Sequence, residues 1–487
     1  MTVSVMVIAG IIALGLIGVA SGRQRNFARW AVGERRNSAW VSWFLLAGEG
    51  LTTFTFLGLA GLAFGGGVGA MFAVAYLTIS YLVFYFTAPR IRELGARIGA
   101  LTIADFFAAR YRAPWLGRLV AILGALALIP YLQLQVTGLG TIVELATGSE
   151  RARGLSMVVA SLLVALFVIW SGLRGIARVA VVKDLLMVVA MIVIAAGLAI
   201  GFAGIPAIFA RVAREAPALL TMRGGDIDPV FFLSATVVTS IGSGFCTLPH
   251  FWPMVFGARN GAALRRTAIW QPVYLLLLFV PITAGFAGAL LLDPGTPDNT
   301  VLLRTSAALL PDWLLGVVAV GGAAAAMVPA AGILMGISTL VSRNVLREVP
   351  DARRPAINAV TILAVVLLAL LLGLVRSDIG ALLLLTFGCT TQFAPAIAIA
   401  LASRVRAGAW PVGLGIAAGA LTVIAITFGG IPIGSLDAGL IGLVPNLLVL
   451  LGAEAVRRAR AVGSAAAADG AGLDASDVGG TRPSGLR

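Results

Sequence analysis

Lysine, histidine and cysteine are nearly missing from this chain of 487 residues, which holds one Lys (Lys183), one His (His250) and two Cys (Cys246 and Cys389). A single histidine excludes a multi-histidine metal centre, and two cysteines set in apolar stretches imply no disulfide framework. No Gly-rich phosphate loop closing on Lys and Ser/Thr is present, and no nucleophile stands at a readable spacing from a base. These gaps argue against an enzyme, and no cofactor is expected. Charge is sparse as well: 11% of residues are charged and 60% hydrophobic, with a mean hydropathy of +1.01. Soluble proteins carry about 25% charged residues, so this composition cannot cover a water-facing surface. A soluble enzyme, a nucleic-acid-binding protein and a disordered chain are excluded. A polytopic membrane protein remains.

What the chain has in quantity is uninterrupted apolar sequence, and about 20 apolar residues span the hydrocarbon of a bilayer. Charge-free intervals cover residues 50–89, 119–143, 154–173, 185–210, 230–258, 267–292, 313–342, 355–375, 379–403, 407–436 and 438–453. With residues 1–22 and a helix around 40–66, they predict an all-α polytopic membrane protein of about thirteen crossings. The net charge of +14 and pI near 11.2 would suggest nucleic acid for a soluble domain, but here position decides. Residues 1–22 are uncharged and the arginines follow them, so this segment reads as a retained first helix with its N-terminus outside. On that orientation 28 of the 35 basic residues fall in the inner segments 22–39, 89–118, 172–183, 249–266, 343–354, 404–406 and 457–487. The fourfold bias has the sign expected for cytoplasmic loops. The expectation is a multi-pass protein of the inner (plasma) membrane with a cytoplasmic C-terminus. Residues 1–39 read as first helix and inner loop, 40–403 as core, 404–460 as two added helices and 461–487 as a disordered tail. In the inner loop 89–118, Thr102 and Asp105 have capping-box spacing, with Asp in place of Glu or Gln, and predict a short surface helix.

Carboxylates inside hydrocarbon cost about 2.5–3.5 kcal/mol on insertion scales and are functional candidates by default. Glu144 and Glu454 stand near the ends of their crossings and read as solvated or capping groups. Lys183 reads as a positive-inside anchor in an inner turn. Glu49 is different: it lies mid-span between Gly48 and Gly50, ahead of Thr52, Thr53 and Thr55. It is either a proton or cation group at the midplane or a carboxylate satisfied by neighbouring helices. Two glycines and a threonine cluster weaken the helix there. A second weak point, Thr239-Ser-Ile-Gly-Ser-Gly244, falls in the seventh crossing. Counted from the second helix, these head two successive sets of five helices, the pattern of an inverted-repeat transporter. Gln133, Gln135, Thr239, Ser240, Ser243 and Gln392 supply polar lining that suits many small solutes.

At these residues the chain resembles the sodium:solute symporter family over nearly its whole length. The stretch Ala47-Gly-Glu-Gly-Leu-Thr-Thr-Phe-Thr-Phe-Leu-Gly-Leu-Ala-Gly61 is similar to that family's first core helix. Leu101-Thr-Ile-Ala-Asp-Phe-Phe-Ala-Ala-Arg-Tyr111 resembles its inner-loop signature. Gly172-Leu-Arg-Gly, Val182-Lys-Asp184, Leu248-Pro-His250, Arg265-Arg266, and Met327-Val-Pro-Ala330 followed by Ser342-Arg-Asn344 resemble its monocarboxylate permease branch. The resemblance implies a leucine-transporter-type five-plus-five inverted-repeat core in helices two to eleven, and alternating access. It implies a site between the second and seventh helices that imports a small organic solute with a coupling cation, H+ or Na+. The branch implies a short monocarboxylate such as acetate, pyruvate or lactate. For the ion, Gly48 and Leu51 match the first-helix carbonyl positions and Ala325 the ninth-helix one. Val328 and Pro329 stand where the family has paired hydroxyls, and Gly50 where it has an aspartate. The missing hydroxyls, together with Glu49, favour a proton over sodium. The rival readings are a sodium-coupled amino-acid or sugar symporter of the same family, and a proton-translocating subunit of a membrane enzyme complex. The latter would carry intramembrane lysines and paired acids.

Overall fold

The computed structural model describes residues 2–148, 150–222, 227–374 and 378–476. Among them there is no β-strand, and thirteen apolar helical rods follow one another along the chain. The first is Thr2–Val19. The second is interrupted: Ala39–Gly50, then the π-turn Phe54–Gly58 and Leu59–Gly66. The third to sixth are Phe72–Arg97, Pro114–Thr147, Glu150–Ser171 and Leu173–Gly201. The seventh, Pro229–Gly244, is interrupted before the short helix Phe251–Gly257. Gly261–Leu291, Asp312–Leu340 and Arg354–Gly373 are the eighth to tenth. The eleventh bends by 40° between Ile379–Thr391 and Ala394–Ala400, and Ala409–Gly429 and Ala438–Ser476 complete the set. The last helix thus continues into the segment expected to be an unstructured tail, whose final residues, 477–487, lie outside the described residues.

Helical residues follow one another without a gap over Phe54–Arg97, 44 residues. That would make a rod of about 66 Å, twice the hydrocarbon thickness. Gly67 divides it. Its φ of +54° suits glycine, and a Cβ there would lie 2.0 Å from the Leu219 carbonyl oxygen. The chain therefore turns back under the loop that precedes the seventh crossing.

The ninth crossing is the hub. Its apolar window is 89% buried, against 28%, 39% and 33% for the tenth, twelfth and thirteenth. It packs on the first, fourth, sixth and tenth crossings. Small residues make this possible: a Cβ at Gly321 would meet Ala190 Cβ at 2.7 Å, and one at Gly322 would meet Phe56 at 2.4 Å. Around the outside, Leu82, Phe86, Leu126, Leu166, Leu367 and Leu448 are exposed, a surface for lipid rather than water.

At the arginine-rich end the capping box is present. Thr102 Oγ1 accepts from Asp105 N at 3.0 Å, and Asp105 Oδ2 accepts from Leu101 N at 2.9 Å. The resulting helix Ile103–Arg110 is then tied to the end of the ninth crossing. Arg343 Nε donates to Asp105 Oδ2 at 2.6 Å, Asn344 Nδ2 to Asp105 Oδ1 at 2.8 Å, and Thr102 Oγ1 to Asn344 Oδ1 at 2.8 Å. Two motifs more than 230 residues apart thus form one latch.

Candidate functional site

The first break is built from its own residues. Ala39–Gly50 starts on Ser38, whose hydroxyl accepts from Val41 N, and runs into Gly48 and Gly50, poor helix formers. At Leu51 the backbone leaves the helix (φ −106°, ψ 84°). The threonines then replace the lost backbone partners. Thr52 N donates to Thr55 Oγ1 at 2.8 Å, Thr55 Oγ1 donates to Thr52 O at 2.9 Å, and Phe54 N donates to Thr52 Oγ1 at 3.2 Å. One amide reaches further, Thr53 N to Gln135 Oε1 at 3.4 Å.

The carbonyls ahead of the break meet charge. Lys183 Nζ donates to Gly48 O at 3.2 Å and lies 2.8 Å from Asp184 Oδ1, which also accepts from Tyr274 Oη at 3.0 Å. Lys183 and Asp184 are buried. Reading Lys183 as an anchor in an inner turn is therefore corrected. The sixth crossing begins at Leu173, ten residues earlier, which places this lysine about 15 Å along the helix. Counting charge-free intervals had cut the helix at the residue that matters.

Glu49 is not alone either. Its Oε2 is 2.9 Å from Nε2 of His250, and both side chains are buried. Glu49 Oε1 and His250 Nδ1 have no protein partner. The ninth crossing admits this pair through two glycines: a Cβ at Gly332 would lie 2.9 Å from Glu49 Oε1, and one at Gly336 2.7 Å from His250 Cβ. Beside the pair lies a cavity of about 30 Å³ lined by Glu49, Gly50, Thr52, Thr55, Tyr76, Ser80, Tyr81, Tyr131, Ser243 and Phe387.

Of the residues proposed from sequence, Glu49, Thr52, Thr55 and Ser243 surround this cavity. Thr53 is packed against the fourth crossing, its Cγ2 1.8 Å from where a Cβ at Gly138 would stand. Gln133 donates to Leu372 O at 3.1 Å, and Ser240 to Tyr76 O at 3.4 Å. Gln392 lies between the eleventh and thirteenth crossings, donating to Gly388 O and Gly439 O at 3.0 Å each and accepting from Asn446 Nδ2 at 3.1 Å. Gly48 and Leu51 flank the break, and Val328 packs on Gly48, with its Cγ1 3.3 Å from a Cβ placed there. Ala325 is buried one turn earlier on the ninth crossing. His250, Asp184 and Tyr274 escaped the sequence reading as members of the site. The only signals for them were the solitary Lys and His in an arginine-dominated chain.

A bundle in which two interrupted helices head two sets of five, with a buried Lys–Asp pair and a Glu–His contact at the first break, defines a secondary transporter of the leucine-transporter fold, not an enzyme. More closely, the chain belongs to the sodium:solute symporter family, whose model matches residues 30–403. YhjB, an uncharacterized symporter of Bacillus subtilis, is 30% identical over 481 residues, 94% of this chain and 98% of that protein. The monocarboxylate transport permease protein of Rhizobium johnstonii is 27% identical over 377 residues, 75% of this chain and 72% of that one. Among solved structures, a substrate-bound, outward-open Na+-coupled sialic acid symporter matches with a TM-score of 0.74 at 18% identity, covering 92% of this chain and 96% of its own. Mhp1, a nucleobase-cation-symport-1 family transporter in a closed conformation, matches with a TM-score of 0.59 at 16% identity, covering 90% and 96%. Both likenesses speak to the fold. Family and fold together establish ion-coupled solute transport. They also set aside the membrane-enzyme subunit, even though a buried Lys–Asp pair is present.

Proposed function

We propose that this protein imports a short monocarboxylate such as acetate, pyruvate or lactate at the first break, in symport with a proton. The observation that carries the reading is the cavity beside the first break, lined by Thr52, Thr55 and Ser243, with a half-helix starting at Phe54 next to it. The N-terminal end of a helix carries partial positive charge and favours a carboxylate. The name of the Rhizobium relative supports the solute class. Glu49 lines the cavity and its Oε2 lies 2.9 Å from Nε2 of the buried His250, the pair to which the coupling proton is assigned. Residues 40–403 act as the transporting core, framed by 1–39 and 404–460, with the N-terminus outside.

Counterflow in liposomes containing the purified protein tests this, using labelled acetate, pyruvate, lactate, amino acids and sugars. Exchange of the short acids is expected, with apparent affinity lowered by roughly ten-fold in the Thr52→Ala and Ser243→Ala variants. Exchange of amino acids or sugars alone would replace the solute class. Labelling of a tag after Arg460 by an impermeant reagent from outside intact cells would reverse the orientation.

A further inference from the structure

Gly48 O belongs to the last turn of Ala39–Gly50, where carbonyls lack intrahelical partners and the helix dipole is negative. The amide that would have closed its helical bond, Thr52 N, donates to Thr55 Oγ1 instead. A cation is the natural complement of such a carbonyl. The chain supplies one of its own, the Lys183 ammonium at 3.2 Å, with Asp184 as countercharge at 2.8 Å and Tyr274 steadying that carboxylate. Glu49 faces the other way, toward His250.

Beside Gly48 the ninth and sixth crossings present methyl groups as well as the ammonium. A Cβ at Gly48 would meet Val328 Cγ1 at 3.3 Å, Lys183 Nζ at 3.8 Å and Ala180 Cβ at 4.0 Å. Hard cations such as calcium and magnesium take about six or more oxygens at roughly 2.0–2.6 Å, and by the same demand a sodium ion is poorly served here, where Gly48 O and Asp184 Oδ1 are both already engaged by the ammonium. Lysine suits the place where arginine would not. Its ammonium is a compact charge on a flexible stem, whereas guanidinium is a broad planar fork.

We infer that the Lys183 ammonium is a built-in cation standing where a transported alkali-metal ion would bind at the first break, so that this symporter binds no sodium there. The inference rests on the symport reading and is independent of the solute's identity.

The test is solute-free thermal unfolding of the purified full-length protein in sodium chloride and in choline chloride of equal ionic strength. The wild type is expected to melt alike in both. Lys183→Ser removes the ammonium, opens its space and leaves Gly48 O, Asp184 and a new hydroxyl to face a cation. It is expected to show a saturable, sodium-specific rise in melting temperature. Sodium-specific stabilisation of the wild type, or a folded Lys183→Ser variant indifferent to sodium, overturns the inference. Uptake by wild-type liposomes decides it even if the variant does not fold. A sodium gradient at zero pH difference is expected to drive no accumulation of labelled pyruvate, and accumulation abolished by replacing sodium with choline overturns it. Failure to exchange any short acid would instead strike the solute assignment and leave the unfolding result standing.

Discussion

The two interrupted helices solve one problem in two ways. At the second break the chain satisfies itself for the most part. Thr247 N and Thr247 Oγ1 both donate to Gly242 O, at 2.8 and 3.0 Å, Cys246 N donates to Ser243 O at 3.0 Å, and Trp252 Nε1 donates to Cys246 O at 2.6 Å. All of these lie within ten residues, and one further bond comes from outside, Thr87 Oγ1 of the third crossing donating to Gly244 O at 2.5 Å. The first break borrows from afar: Lys183 from the sixth crossing, Gln135 from the fourth, and His250 from beyond the seventh. A break held mainly by its own residues depends little on its neighbours. A break held by remote helices changes whenever those helices move. Coupling between cation, solute and access belongs at the second kind.

The comparison breaks most readily at Lys183. Lys183→Met leaves the Asp184 carboxylate buried with only Tyr274 as a partner. Removing one member of a buried ion pair costs about 3–5 kcal/mol. The variant should melt far below the wild type, and adding Asp184→Asn should recover much of the loss. A Lys183→Met protein as stable as the wild type would mean that the first break does not depend on its remote charge.

Next comes the seam between the breaks. A Cβ at Gly336 would stand 2.7 Å from His250 Cβ and 2.9 Å from its Cα, so backbone rather than a mobile side-chain tip must yield. Overpacking of this kind costs about 1–3 kcal/mol. Gly336→Ala should lower the melting temperature and push His250 away from Glu49, with uptake falling accordingly. Retention of full uptake would show that the Glu49–His250 contact is dispensable.

How much of this was legible in the sequence follows from the physics of each feature. Crossings are written in long apolar runs and arginine placement because bilayer transfer acts on every residue. The first break was legible too, since Gly48, Gly50 and the threonines are locally unfit for an unbroken helix. Partners were not. Glu49 and His250 are 201 positions apart, and no local pattern records that the ninth crossing carries Gly332 and Gly336 to let them meet. Lys183 is hidden because a lone charge ordinarily marks the end of an apolar run, whereas this one lies inside the helix Leu173–Gly201. Gln392 shows the converse: a polar residue mid-span suggests a solute contact, yet its amide is consumed in joining the eleventh and thirteenth crossings.

Two hydroxyl deletions sharpen the contrast at finer scale. Thr55→Val removes both the acceptor of Thr52 N and the donor to Thr52 O, leaving a buried amide with nothing in its place. A buried group left unpaired costs about 1–3 kcal/mol. The variant should be destabilised by that amount and should weaken solute affinity, since Thr55 lines the cavity.

Thr247→Val is the matched control at the second break and should matter least. Gly242 O accepts two bonds from the same residue, one from the hydroxyl and one from the backbone amide. Valine deletes the first and keeps the second, so no buried carbonyl is orphaned. The loss is then the net worth of one ordinary hydrogen bond, about 0.5–1.5 kcal/mol, offset in part by a methyl group that fits a fully buried site. Unfolding measured side by side should place Thr247→Val close to the wild type and clearly above Thr55→Val, with solute affinity unchanged. If Thr247→Val proved the more damaging of the two, the second break would not be the more locally held, and the division of labour between the two interruptions would have to be reversed.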